Sequence, residues 1–139
     1  MHADSRGFRT RDLSAYICVH PRQLIDMSGC EWIIEAHACD PATLSNTATL
    51  RALFEHLIAE MHLHAVGEAQ WHQFPGGGIT GLALLQESHI ACHTFPEHRS
   101  LCLNVFCCRP RPDMDFEQYL RRAFGAALVE VRKLDRPYE

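Results

Sequence analysis

The sequence predicts an α+β domain of two layers, an antiparallel β-sheet with two helices on one face. Three observations predict it. Two segments carry apolar residues at helical spacing, several short segments alternate as strands do, and the joints between those strands are short enough for hairpins. At 139 residues and 47% hydrophobic content the chain fills one core, since single domains run ~100–150 residues.

Before Glu31 no period is sustained, and Pro21, Gly29 and scattered charges interrupt the chain. Residues 1–30 therefore read as an extension of uncertain order and residues 31–139 as the domain. Trp32, Ile33 and Ile34 start a buried strand over residues 31–38 that stops at the breaker pair Asp40-Pro41. Leu50, Leu53, Phe54, Leu57, Ile58 and Met61 recur as on one helix face, with Ser45, Asn46 and Thr47 as candidate caps. A second strand is predicted over residues 68–74, ended by Pro75-Gly76-Gly77-Gly78.

Residues 79–86 and 90–95 each resemble strands, and the polar joint Glu87-Ser88-His89 makes them a hairpin. Leu101, Leu103, Val105 and Cys107 then alternate with Cys102, Asn104, Phe106 and Cys108, which puts Cys108 on the second face of a further strand. After a proline-rich turn at residues 109–112, an amphipathic helix bears Phe116, Tyr119, Leu120, Ala123, Phe124, Ala127 and Leu128, capped by Asp113 or Asp115. Val129 and Val131 begin a last edge strand. The expected order is β-α-β-β-β-α-β, with hairpins among the strands.

Composition removes several function classes. Thirteen Lys and Arg against seventeen Asp and Glu give a formal charge of −4, with no basic cluster to track a phosphate backbone, so nucleic acid is not an expected partner. Residues 1–30 hold no signal-peptide pattern, and no apolar run approaches the ~18 residues of a membrane span. Seven cysteines, odd in number and irregular in spacing, fit reduced thiols in the cytosol. With no CxxC pair, no metal site is expected, even with ten histidines present.

The chemistry concentrates between Gly78 and Cys108. The stretch from Gly78 to Glu97 contains Glu87-Ser88-His89, then His93-Thr94, an aromatic residue, and Pro96-Glu97. It closely resembles the signature of prokaryotic S-adenosylmethionine decarboxylases. The likeness continues weakly through Asn104 to Cys108 and upstream through Glu35, Cys39 and Asp40, and covers about residues 31–135 in element order.

Read physically, a serine in a tight joint can turn its hydroxyl onto the preceding carbonyl, so Ser88 attacks Glu87 and converts the peptide bond to an ester. Loss of the α-proton of residue 88 then expels the Glu87 carboxylate, leaving dehydroalanine that hydrolyses to a pyruvoyl group and ammonia. The chain is thereby cut between Glu87 and Ser88, and the pyruvoyl group blocks the fragment that continues with residues 89–139. Such a group forms a Schiff base with a substrate amine and accepts the electrons released when carbon dioxide leaves, so no other cofactor is needed.

The resemblance supplies the remaining roles. It implies that His93 and Thr80, the latter in place of a family serine, serve the processing reaction, and that Cys108 is the proton donor in turnover, with adjacent Cys107 as the competing thiol. Phe74 matches an aromatic that stacks on adenine, and Glu97 a carboxylate that holds the ribose hydroxyls. The implied activity is decarboxylation of S-adenosylmethionine to the aminopropyl donor of spermidine synthesis, in a cytoplasmic homodimer whose protomers pack face to face. Asn104, Phe95, Arg109 and the pair His98-Arg99 depart from the family pattern. They keep open a pyruvoyl decarboxylase of ornithine or arginine, and a reading of another class is an unprocessed regulatory homologue, against which the intact Ser88 and His93 count.

Overall fold

The computed structural model describes residues 28–138, so most of the expected extension, residues 1–27, lies outside the described residues. Strand β1 (Gly29–His37) is followed by a one-turn helix α1 (Pro41–Leu44), helix α2 (Thr47–Glu60), strands β2 (Gln70–Gln73), β3 (Ile79–Leu85) and β4 (Ser88–Phe95), a 3₁₀ turn (Pro96–His98), strand β5 (Ser100–Cys107), helix α3 (Phe116–Phe124) and strand β6 (Leu128–Arg136). The strands form one antiparallel sheet in the order β2-β3-β4-β5-β1-β6.

The expected α+β class with helices on one face is observed, with one correction to the order. Four strands lie between α2 and α3, matching the four segments read individually from the sequence, where the order β-α-β-β-β-α-β counts three. The joint is also tighter than expected. Leu85 pairs with Ser88, so the turn is Gln86-Glu87, and Ser88 and His89 already belong to β4.

Local chemistry sets the other boundaries. Asp40-Pro41, read as a strand stop, also starts α1: the Asp40 carboxylate accepts from the Ala42 amide at 2.9 Å and proline occupies the first helical turn, where its missing N–H costs nothing. Asn46 caps α2 by accepting from the Ala48 and Thr49 amides. Asp115 caps α3, which ends at Phe124 and not near Leu128, because Gly125 takes the left-handed conformation at φ 64° and frees Leu128 to open β6. Strand β1 begins two residues earlier than expected. A Cβ on Gly29 would lie 2.7 Å from the Cys107 carbonyl oxygen, so the glycine there permits the strand and does not interrupt it.

Strict alternation divides the sheet into two faces. Trp32, Ile34, Ile90, Leu101, Leu103 and Val105 point inward and pack with Leu50, Leu53 and Leu57 of α2 and Leu120 and Phe124 of α3. Each such side chain stabilises the fold by ~1.5–3 kcal/mol. Buried Thr94 ties the layers together: its hydroxyl accepts from the Ile79 amide and donates to the Leu44 carbonyl, both at 2.8 Å. Among the described residues the opposite face carries no helix. It presents Glu31, Ile33, Glu35 and His37 of β1, Cys102, Asn104 and Phe106 of β5, and His89 and His93 of β4, together with exposed Leu82 and Leu84 of β3.

Candidate active site

The residues singled out in the sequence fall into two groups at opposite ends of the β3–β4–β5 ladder. At the turn end, Glu87 and Ser88 join β3 to β4, and Ser88 pairs with Cys107 of β5. The Glu87 carbonyl, the atom a serine attack would convert to an oxyanion, already accepts a hydrogen bond from the Cys108 amide at 2.8 Å. A backbone donor so placed polarises the carbonyl and is aimed where negative charge would develop.

Two arginines hold the side chain of Glu87. Arg109 Nε lies 3.1 Å and Arg111 Nη2 3.3 Å from Oε2, and Arg111 also donates to the His62 carbonyl at 3.0 Å. Arg109 is thus paired beside the joint and is not a free positive charge facing a substrate. Arg99, the other basic departure from the family pattern, turns back onto the carbonyls of Cys39 and Ala38 at 2.8 and 3.3 Å.

The two candidate thiols differ in environment. Cys107 lies on the inward face beside Ser88, and burial pushes its thiol up to about 11, with a smaller push from the Cys30 thiol. Cys108 follows the last paired residue of β5 and is half-buried, and its own carbonyl receives the Tyr138 hydroxyl at 3.2 Å.

At the other end, Thr80 and His93 are cross-strand partners, with Thr80 Oγ1 3.1 Å from His93 Nδ1. His72 pairs with Thr80 on its other side and meets Phe74 edge-on at 4.7 Å. Phe74 stands just beyond β2, half exposed, where its amide donates to the Gly78 carbonyl and closes the Pro75–Gly78 turn. Glu97 follows β4 on the 3₁₀ turn. The structure therefore brings Phe74, Thr80, His93 and Glu97 to one end and Glu87, Ser88, Cys107 and Cys108 to the other. Ser88 and His93 are five residues apart on one strand, about 17 Å at ~3.4 Å per residue.

The family model described as S-adenosylmethionine decarboxylase matches residues 30–137. The chain belongs to the S-adenosylmethionine decarboxylase family. The S-adenosylmethionine decarboxylase proenzyme of Acetivibrio thermocellus is 32% identical, over 75% of this chain and 84% of that protein. The proenzyme of the same name from Picrophilus torridus is 29% identical over 78% and 83%. The crystal structure of the adenosylmethionine decarboxylase from Aquifex aeolicus superposes with a TM-score of 0.66, at 20% identity, over 82% of this chain and 94% of that one, and supports the fold.

Sequence reasoning missed three features of this chain: the Cys108 amide on the Glu87 carbonyl, the arginine pair on Glu87, and a hydrogen-bonded path from His89 to Glu31. The first depends on strand register, which no local pattern states. The second had a faint signal in the clustered Arg109 and Arg111. Glu35, His37 and Glu130 bring possible metal-ligand atoms within 4.8 Å of one another, but Arg132 engages Glu35 at 3.4 Å and Ser100 engages His37 at 3.3 Å. No helix among the described residues is long and apolar enough to cross a membrane.

Proposed function

We propose that this protein decarboxylates S-adenosylmethionine, supplying the aminopropyl donor for spermidine synthesis, after cutting itself between Glu87 and Ser88 to make a pyruvoyl group. The observation that carries the reading is the joint itself, a serine at the head of β4 whose preceding carbonyl is held by the Cys108 amide at 2.8 Å. These residues fit the group. Ser88 supplies the hydroxyl, Glu87 the acyl carbon, and the Cys108 amide steadies the oxyanion while the ester forms. Arg109 and Arg111 fix Glu87 on the other side of the bond and retain its carboxylate after the cut.

A pyruvoyl group at residue 88 would supply a carbonyl for the substrate amine and a sink for the electrons freed as carbon dioxide leaves. The chain's own residues do the rest. Cys108 is the proton donor of the reading, because it is partly accessible whereas Cys107 is sealed in the core. Phe74 stacks on adenine and attracts the sulfonium charge, and Glu97 accepts from the ribose hydroxyls. His93 and Thr80 handle protons during processing, as a linked pair.

The two groups of residues cannot meet within one chain, since about 17 Å of strand separates Ser88 from His93. They meet if two copies pack their open faces together with strands running oppositely, so that each joint receives His93, Thr80, Phe74 and Glu97 from the other copy. Exposed Leu82 and Leu84, at 48% and 61%, with Leu128 and Leu134 on the same face, give that packing an apolar surface to cover. The working form is thus a cytoplasmic homodimer of cleaved protomers.

Intact-mass analysis of the freshly purified protein tests the reading. The parent chain is expected as two fragments divided after Glu87, the smaller with a pyruvoyl mass at its start, and Ser88→Ala as one uncut chain. A Ser88→Ala variant that still divides after Glu87 defeats the proposed chemistry.

A further inference from the structure

His89, the residue after the cleavage-site serine, is fixed in the structure more firmly than any role yet given to it requires. Its ring stacks on Phe106 with centroids 5.6 Å apart and 22° between the planes. Its Nε2 lies 2.9 Å from Asn104 Oδ1, and Asn104 donates through Nδ2 to Glu31 Oε1 at 2.8 Å. Arg136 pairs with the other oxygen of Glu31. The register makes this one connected patch of the open face, with His89 opposite Phe106 and Phe106 opposite Glu31, and with Asn104 diagonal to both His89 and Glu31.

The path has a single polarity. Arg136 can only donate. Glu31 is held below its ordinary value, first by the Asn104 hydrogen bond and then, against the effect of burial, by Arg136, so near neutral pH it can only accept. Asn104 must therefore turn its NH₂ toward Glu31 and its carbonyl oxygen toward His89, because the flipped amide would set oxygen against carboxylate. His89 answers with an N–H at Nε2, and the neutral ring keeps its lone pair at Nδ1, the ring nitrogen bonded to Cγ and so nearer the backbone of β4.

We propose that Asn104 and Glu31 are positioning residues that hold His89 in the Nε2–H form, so that its Nδ1 takes the proton from the substrate's ammonium nitrogen as it reaches the group made from Ser88. The proposal rests on the pyruvoyl reading above. An ammonium nitrogen has no free electron pair, and attack on a carbonyl requires one. The N–H bond breaks on the substrate and forms at Nδ1. The imidazolium charge is offset by Glu31 through Asn104, and the proton then passes to the oxygen that departs as water, which restores the neutral ring. The Phe106 stack keeps the ring plane fixed throughout.

The test reads the ring and the reaction separately. In ¹⁵N-histidine NMR of the uncut Ser88→Ala chain, His89 is expected with its proton on Nε2, and adding Asn104→Leu should remove that preference. In the self-cleaving chain, Asn104→Leu should lower the decarboxylation rate about 10–100-fold, the usual cost of losing an orienting partner. The exchange Glu31→Gln with Asn104→Asp swaps the two side-chain types but preserves the polarity, since the amide now on β1 donates to the carboxylate now on β5, and that carboxylate accepts from His89. It should restore both the tautomer and the rate. A proton found on Nδ1 in Ser88→Ala overturns the proposal, as does an Asn104→Leu enzyme as fast as the parent or an exchange that restores the tautomer and not the rate. Failure of the pyruvoyl reading is seen independently, as a parent chain that stays whole, and leaves the NMR result to decide the positioning claim.

Discussion

A pair of inactive variants should repair each other if the site is assembled from two copies. Ser88→Ala removes the hydroxyl that attacks Glu87, and His93→Ala removes the proposed processing base at the far end of the same strand. Five residues of β4 separate these positions, about 17 Å at ~3.4 Å per residue. A base must come within ~3 Å of the proton it takes, so a single chain falls short by roughly 14 Å. Its backbone cannot close that gap while β4 stays hydrogen-bonded to both β3 and β5. Each variant alone should therefore remain uncut or be cut ~10²–10⁴-fold more slowly. When the two are co-expressed with different tags and the mixed species is isolated by tandem purification, its His93→Ala chain carries an intact Ser88 and receives His93 from the other copy. That chain, and not its Ser88→Ala companion, should appear as two fragments by intact mass. A mixed species that stays whole refutes the two-copy site. So does a His93→Ala chain that cleaves on its own at the parent rate, which would place the base elsewhere.

Three other outcomes follow from the same geometry. Phe74→Ala should mature normally yet lose ~1–3 kcal/mol of adenine stacking, read as a raised KM for S-adenosylmethionine. Unchanged kinetics would favour ornithine or arginine as substrate, which a direct activity panel checks. Cys108→Ala should also mature but turn over ~10²–10⁴-fold more slowly, and mass analysis of the small fragment should show pyruvoyl converting to alanine by misdirected protonation. If Cys107→Ala shows that defect and Cys108→Ala does not, the inward thiol is the donor. The Asn104 hydrogen bond lowers the Glu31 carboxyl from its ordinary 4.5, so its contribution to stability is complete above that value and is lost as pH falls through the lower folded one. Denaturant unfolding across that acid range should therefore be less pH-dependent in Glu31→Gln than in the parent, and parallel curves would show that Glu31 contributes no linkage.

Much of this was legible in the chain order of residues. The alternation of Leu101, Leu103 and Val105 with Cys102, Asn104 and Phe106 assigned both faces of β5 before any pairing was known, because a strand's period of two is a local property. The helical spacing from Leu50 to Leu57 identified the buried side of α2 for the same reason. The motif from Glu87 to Glu97 named the chemistry. Boundaries were less legible where one residue type serves two purposes: Gly29 lies within β1, Asp40-Pro41 both ends the β1 segment and starts α1, and Gly125 ends α3 a turn earlier than the apolar pattern suggests.

What the tertiary structure alone decided is distance across strands. Glu87 and Cys108 are far apart in sequence, and their 2.8 Å contact exists because β4 and β5 pair in a register that turns and packing set together. The β3–β4 register pairs Thr80 with His93, at the opposite end of the strand from Ser88, although in the sequence all three belong to one compact motif. The β4–β5 and β5–β1 registers together align His89, Asn104 and Glu31 from three different strands into one hydrogen-bonded path. A linear motif states which groups are available to react. Which of them touch depends on strand register, and register comes from the whole sheet, since shifting one strand by a single residue would send every side chain on it to the other face.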